Sequence, residues 1–435
     1  MMPTWRTVGL LAAASFIPLA FPEDRALAVW LYGLGLVVLL FLGDWLVAWR
    51  TPVDLKRDPV DLLVQGRAAT VAVHLVNRRR RRVLAAWRDT GQAAFGLESE
   101  MKPVLLGPAE SKRVTYEVVP AERGLWRLGD LYARRAGPLR LAWHQWRVPA
   151  GQPVKVYPDL QALARRGSLV LATRERAAGV RRARFRGLGT EFESLREFMP
   201  DDSYRTINWN ATARRGKLVA NVYQTERSQT LMLMVDAGRL LVPKAGAMGT
   251  KLDYTVEAAL SLATLGLRFD DRVGLLVFAD RPLAYVPPAR GRDQVYRLAE
   301  ALYQVKPRLV EPDYEAALEV LRARLKRRSL VCLFSDLLDP EASRRVLVQT
   351  ARLSPRHLPL FVALRDPAVV AEAGRDVERI MEAYTRAMAV HQLERRETAL
   401  AALRERGGLA LDVLPEELNS AVLNQYLEVK ARALL

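Results

Sequence analysis

The chain has 435 residues, half of them apolar, which is material for two or three domains with real cores. Its 66 lysines and arginines against 48 aspartates and glutamates give a net charge of +18, a balance compatible with nucleic acid or an anionic membrane as neighbour. The single cysteine, Cys332 in an apolar run, excludes an internal disulfide framework, and His74, His144, His357 and His391 lack the spacing of a zinc site.

Two apolar runs open the chain. Val8–Phe21 follows Trp5 and Arg6; Pro22, Glu23, Asp24 and Arg25 interrupt; Ala26–Trp49 is then apolar except for Asp44. The second run reaches about 36 Å as a helix, against a hydrocarbon core of about 30 Å. Asp44 would cost about 2.5–3.5 kcal/mol at the bilayer centre, less near the end of the run. Trp30, Trp45 and Trp49 suit the two interfaces. The first run reads either as a signal peptide with Ala26-Leu27-Ala28 as cleavage site or as the first arm of a helical hairpin, and the apolar run that follows at once favours the hairpin. Residues 1–50 are therefore assigned to a transmembrane hairpin in contact with lipid. Arg50, Lys56 and Arg57 flank it, and the connecting turn is acidic, so the positive-inside rule puts both ends and the rest of the chain in the cytoplasm.

Residues 51–158 show short alternating strands, Ala69–Val76, Lys112–Val119 and Leu125–Tyr132, punctuated by Gly66, Gly107-Pro108, Gly124 and Gly137-Pro138. The pattern predicts a small β-sandwich of immunoglobulin or fibronectin type. The densest basic run, Arg78–Arg82, follows Asn77 and reads as a solvated hairpin turn. Residues 159–229 combine a basic connector, rich in arginine from Arg165 to Arg186, with the start of a denser pattern.

That pattern runs from Thr190 to Asp236 and interleaves acids, bases and aromatics before an apolar strand that ends on one aspartate. Glu191, Phe192, Leu195, Arg196, Phe198, Asp201, Asp202, Arg205, Ile207, Trp209, Ala213, Arg214, Gly216, Leu218, Glu226, Arg227 and Asp236 carry a resemblance to the family called domain of unknown function 58. Members of that family look like von Willebrand factor type A domains and are often encoded beside MoxR-type AAA+ ATPases. The resemblance implies an α/β, Rossmann-type fold with a mostly parallel sheet. It also implies a MoxR-type AAA+ ATPase, or that ATPase's client protein, as partner, and residence in the bacterial cytoplasmic (inner) membrane. Within the segment, Arg196, Arg205, Arg214 and Arg215 face possible carboxylate partners, since guanidinium forks suit bidentate pairing. Trp209 and Phe198 are expected to anchor the segment against a domain. Glu191, Phe192, Arg196, Phe198, Asp201, Asp202, Arg205, Trp209, Arg214 and Arg215 form the candidate recognition surface; the competing reading is a salt-bridged crossover with no partner.

From residue 230 to 435 strands and helices alternate. The strands are Thr230–Asp236, Arg272–Ala279, Ser329–Ser335, Leu358–Leu364 and Leu409–Val413. The helices are Lys251–Phe269, Asp293–Tyr303, Asp313–Lys326, Glu341–Leu353, Arg375–Arg406 and Glu416–Ala433. Alternation of this kind predicts a mostly parallel sheet covered on both faces, with a crevice at the C-terminal strand ends.

By the resemblance, Asp236 opens a metal site of pattern D-x-S-x-S, completed by a threonine and a second aspartate. Here the pattern reads Asp236-Ala237-Gly238-Arg239-Leu240, without either serine; Glu311-Pro312-Asp313-Tyr314 stands where the threonine belongs, and Asp336 matches the last aspartate. Asp236, Asp336 and Asp313 are thus the candidate ligands of a degenerate site. One reading is weak Mg²⁺ binding through retained waters. The favoured one is no cofactor, with Arg239 or another arginine neutralising the acids. No P-loop, G-x-S-x-G or Cys/His pair is present. The expected function is a membrane-anchored, non-enzymatic scaffold. The alternatives are a metal-assisted phosphohydrolase using Asp236, Asp336 and Asp201-Asp202, and a nucleic-acid binder. The last is disfavoured by the absence of a reader module and by the membrane hairpin.

Overall fold

Alternating apolar residues on β4 (Ala69–Val76) turn Val71, Val73 and Leu75 to one side, and that side is the floor of a two-sheet core. The computed structural model describes residues 2–16, 23–50, 53–91, 95–96, 101–177, 191–199, 204–224, 229–246, 249–337, 346, 348–354 and 356–435. It divides into two units, Met1–Asp159 and Leu160–Leu435.

In the first unit β2 (Asp54–Arg57), β4 and β7 (Ser111–Val118) form one antiparallel sheet. The other sheet runs β1 (Met2–Pro3), β9 (Ala142–Val148), β8 (Gly124–Ala136), β10 (Gln152–Tyr157) and β3 (Leu62–Val64). Its β8 also pairs β5 (Val83–Gly91), which pairs β6 (Lys102–Leu106). Trp87, Leu128, Leu131, Val154 and Val156 from this sheet meet Leu55, Leu75 and Val118 from the first. The expected sandwich is therefore present, with β8 longer than the alternation suggested.

Two helices precede the sandwich, α1 (Trp5–Phe16) and α2 (Glu23–Trp49). Among the described residues one helix, Arg25–Trp49 with mean hydropathy 2.3, is long and apolar enough to cross a membrane. Most of its leucines and valines, among them Leu27, Leu31, Leu36, Leu39 and Leu42, are exposed within the chain. Asp44 is not a charge adrift in this helix. Its carboxylate is 2% exposed and accepts the backbone N–H groups of Leu139 (2.7 Å), Leu141 (2.8 Å) and Ala142 (3.0 Å) from the turn between β8 and β9. Gly137 makes room for it, because a Cβ there would collide with the Asp44 carboxylate.

The second unit begins with α3 (Leu160–Ala177), which packs on α5 (Lys251–Arg268). Part of the basic connector thus belongs to this unit, with Arg166 paired to Glu257. A two-stranded ribbon, β11 (Glu191–Glu197) and β12 (Val219–Gln224), frames the short helix α4 (Trp209–Arg215). The main sheet has β13 (Thr230–Asp236) and β16 (Leu330–Ser335) at its centre. β14 (Arg272–Phe278) and β15 (Pro282–Ala289) lie on one side, β17 (Leu358–Leu364) and β18 (Leu409–Val413) on the other. All neighbours are parallel except β15, an antiparallel edge strand that was not expected. Its prolines, Pro282, Pro287 and Pro288, disguise it in sequence and are tolerated at an edge.

Helices cover both faces, so β13 is apolar and buried along its whole length. Met232 and Met234 meet Leu318 and Leu321 of α7 (Tyr314–Arg324) and Leu400 and Leu403 of α9 (Ile380–Glu405). The other face carries α5, with α6 (Asp293–Leu302) and α10 (Pro415–Ala431) against it. A short α8 (Pro367–Ala373) precedes α9. The expected helix Glu341–Leu353 is helical at residue 346 and over 348–351, while residues 341–345 and 347 lie outside the described residues. The chain enters the sheet at β13, moves outward to β15, then returns to β16, so the strand order reverses between β13 and β16. That reversal opens the crevice in a doubly wound sheet.

Candidate functional site

Asp236 ends β13, Ser335 ends β16 and Asp336 follows it, so the parallel register of the two strands brings three polar side chains to the reversal point. Asp236 is fully buried. Its Oδ1 accepts the Gly238 N–H at 2.7 Å, and its Oδ2 accepts the Ser335 hydroxyl at 2.6 Å and the Tyr314 hydroxyl at 3.0 Å. The two hydroxyls lie 2.8 Å apart, closing a triangle. All its donors are neutral. Burial pushes the Asp236 carboxyl up to about 6, although the Ser335, Gly238 and Tyr314 donors pull it back. Burial, together with the neighbouring Asp236 charge, also raises the Tyr314 hydroxyl well above the usual tyrosine range.

The loop after β13 is tight. A Cβ at Gly238 would stand 3.0 Å from Asp236 Oδ1, from Pro312 Cδ and from the Val310 carbonyl oxygen. Leu240, at the other serine position of the motif, is buried. Side-chain oxygens therefore reach Asp236 from other elements: Ser335 from β16 and Tyr314 from the first turn of α7.

Asp336 is equally buried and quite differently served. Lys251 Nζ donates to its Oδ2 at 2.6 Å; Arg396 Nη1 (2.7 Å) and the Leu337 N–H (2.7 Å) donate to its Oδ1. Both cations are themselves buried. Arg396 also donates to the Leu337 and Leu364 carbonyls and, at 2.8 Å, to Asp412, which Arg365 approaches at 3.1 Å. Burial would lower the Arg396 guanidinium's pKa, but Asp336 and Asp412 outweigh it and hold it above its ordinary value. One network thus ties α5 and α9 to the ends of β16, β17 and β18.

Three expectations need correction. Asp313 does not join the other two acids: its exposed side chain accepts the Ala316 N–H at 2.9 Å as the N-cap of α7, and the next residue, Tyr314, reaches Asp236 instead. Of the arginines allowed for neutralising the strand-end acids, Arg239 pairs instead with Glu311 at the surface, and it is another arginine, Arg396, that neutralises Asp336. The hydroxyls missing from the motif return through Tyr314 and Ser335. Sequence reasoning also passed over Lys251 and Arg396, though each left a signal. A lysine in the first turn of a helix opposes the dipole. Arg396 lies on the helical stripe of Ala389, Leu400 and Leu403 that faces the core.

The signature is split. Asp201 and Asp202, with Glu226 and Arg227, lie outside the described residues. Glu191 and Phe192 belong to β11, and Arg205 to a short 3₁₀ turn, Tyr204–Thr206. Ile207 is buried and bridges to Ala220; Asn208 caps α4 through the Ala211 N–H (2.9 Å) and donates to Asn221 at 2.8 Å. Phe198 packs on Tyr204 with ring centroids 6.0 Å apart. Trp209, expected as an anchor, is instead 68% exposed, and Tyr204 is 81% exposed. Arg214 and Arg215 form the exposed last turn of α4. Arg196, on β11, donates to the Glu197 carbonyl.

Residues 194–372 match the family described as Protein of unknown function DUF58. Over 227 residues, 51% of this chain and 68% of the relative, the chain is 27% identical to an uncharacterised protein of Mycobacterium tuberculosis, and equally to one of Mycobacterium bovis. Among solved structures, a CARDB domain from Pyrococcus furiosus resembles 24% of this chain and 88% of its own, at 20% identity and a TM-score of 0.20. An uncharacterised membrane spanning protein from Vibrio fischeri resembles 46% of this chain and 98% of its own, at 14% identity and a TM-score of 0.18. The central segment is thus similar to a family without an assigned function.

Proposed function

We propose that this chain is a membrane-anchored, non-enzymatic adaptor whose second unit is a von Willebrand factor A-like domain with a metal-free crevice. The strand order, the antiparallel edge strand and the aspartates that end β13 and β16 support the fold reading. The occupied carboxylates support the metal-free reading. A hard divalent ion needs oxygens turned toward it. Here an ammonium and a guanidinium hold Asp336, and Asp236 is closed over by two hydroxyls and an amide. The donor set does not match Mg²⁺, and a metal-assisted phosphohydrolase would have to dismantle it.

The observation that carries the adaptor reading is the surface of the signature. Trp209 and Tyr204 stand in solvent, with Arg214 and Arg215 on the same short helix as Trp209. Exposed tryptophan, tyrosine and arginine are the residue types that dominate protein interfaces. The partner proposed is a MoxR-type AAA+ ATPase or its client, and the setting is the cytoplasmic membrane with both units in the cytoplasm. Affinity purification of the tagged full chain from detergent-solubilised membranes tests this. An AAA+ ATPase should co-purify, and its recovery should fall about tenfold or more in a Trp209→Ala, Arg214→Ala, Arg215→Ala variant. No ATPase, or recovery that the variant leaves unchanged, contradicts the proposal.

A further inference from the structure

The turn between β8 and β9 is the fastening point of both N-terminal helices. Asp44 of α2 takes three of its amides, as described above. From the other side the Thr4 N–H donates to the Leu141 carbonyl at 2.9 Å, the Thr4 hydroxyl donates to the Arg140 carbonyl at 2.6 Å, and the Thr7 hydroxyl donates to the Leu141 carbonyl. Aromatic contacts continue the seam: Trp45 stacks on Trp49 and meets His144 edge-on, and His144 stacks on Trp146. The end of the sandwich that carries this turn is therefore the end from which α2 departs.

Sheet register places the arginine run at that same end. Ala85 of β5 lies opposite Arg135 of β8, antiparallel. Val83, where the run hands over to β5, thus falls level with the start of the turn at Gly137. The charges agree: burial lowers the Arg135 pKa, the Arg79 charge lowers it further, and Asp44 raises it. The run itself is held in shape. Asn77 donates to the Arg81 carbonyl at 2.9 Å and to the Gly107 carbonyl at 2.6 Å, and accepts the Arg79 N–H at 3.0 Å. All five arginines, 78 to 82, are exposed, as are Arg50 just past α2 and Arg140 in the turn. The acids at this end are already engaged: Asp44 by the turn amides, Asp54 by Arg78, Glu110 by the Gly107 N–H.

We infer that Arg78–Arg82, with Arg50 and Arg140, form a basic collar around the foot of α2 that binds the phosphate headgroups of anionic phospholipids. The bilayer is the occupant because the collar is continuous with the helix that enters it. Arginine offers phosphate a planar fork, and each basic residue near an anionic leaflet multiplies partitioning about fivefold. The collar thus does more than pass as a solvated turn: it seats the sandwich on the membrane. This inference rests on the reading of α2 as a membrane span.

Native mass spectrometry of the full chain, released from equimolar phosphatidylglycerol and phosphatidylcholine nanodiscs, tests it by counting retained lipids. Phosphatidylglycerol should be enriched about tenfold or more. The enrichment should vanish in an Arg79→Gln, Arg80→Gln, Arg81→Gln, Arg82→Gln variant, whose loop keeps its Asn77 bonds. It should persist when the exposed Arg292, Arg297, Arg322 and Arg356 of the other unit are changed to Gln. Soluble glycerol 3-phosphate should not compete. Equal retention of the two lipids, loss in both variants, or competition by the soluble phosphate overturns the collar. Alkaline carbonate extraction of cell membranes carrying the full chain reads the span separately: a chain that washes off overturns both readings, and one that stays without lipid preference in nanodiscs overturns only the collar.

Discussion

Asp236 ends β13 and Asp336 follows the last residue of the neighbouring β16, and almost no surface of either is exposed. Among the described residues one is met by neutral donors, the other by two buried cations. The Asp336 half is a closed ionic joint: each carboxylate oxygen has a cation, and Arg396 passes the connection on to Asp412. The Asp236 half is a proton-dependent joint, in which hydroxyls accommodate a carboxylate that has no counter-ion among the described residues. Two buried acids at neighbouring strand ends are thus accommodated in two ways, one by pairing with cations and one by a raised pKa.

Breaking the ionic half should have the largest effect. Arg396→Met strips a guanidinium from Asp336 and Asp412 and leaves the Leu337 carbonyl short of a donor, while the Leu364 carbonyl keeps Lys251. Chemical unfolding of the full chain in detergent should show a loss of about 3–5 kcal/mol. Lys251→Met should cost less, since Arg396 remains on Asp336.

The neutral half should respond in the opposite direction. With its carboxyl raised from the ordinary 3.8 to about 6, the folded chain holds a proton there that the unfolded chain has released. Stability contributed by this site is therefore greatest below about pH 4, falls as pH rises to about 6, and stays lower above. Asp236→Asn removes the ionisation and should stabilise the protein by about 2–3 kcal/mol at pH 7.5 while flattening this window. A variant less stable than the parent at pH 7.5 would show that the Asp236 charge is needed after all.

A smaller effect sharpens the same contrast. Tyr314→Phe deletes one donor to Asp236 and should cost about 1–2 kcal/mol at pH 7.5. The cost should shrink at pH 5, where Asp236 is protonated and needs fewer donors. A pH-independent cost would mean that Tyr314 acts by packing on Phe278, whose ring lies 5.5 Å away edge-on.

The strands of the second unit were legible because burial on both faces makes them uninterrupted apolar runs: Thr230–Asp236, Leu358–Leu364 and Leu409–Val413 match the observed bounds. β15 was hidden because its prolines read as a break. The site was half legible. Asp236 and Asp336 announce themselves as acids that terminate apolar strands. Their partners do not, because Tyr314, Lys251 and Arg396 are far from them in sequence and join only once α5, α7 and α9 pack on the sheet. Asp44 was half legible for a related reason: hydropathy places it near the end of the apolar helix but does not see the β8–β9 turn that satisfies it. Exposure was not legible either, as Trp209 shows; a tryptophan beside charges suits a core and an interface equally.

Lys251, Arg396, Tyr314 and Ser335 are proposed to take the place of a divalent ion. Calorimetric titration of the full chain with Mg²⁺ tests it most directly. No saturable heat is expected, with the wild-type chain and Asp236→Ala behaving alike. Saturable micromolar binding that Asp236→Ala abolishes would contradict the account.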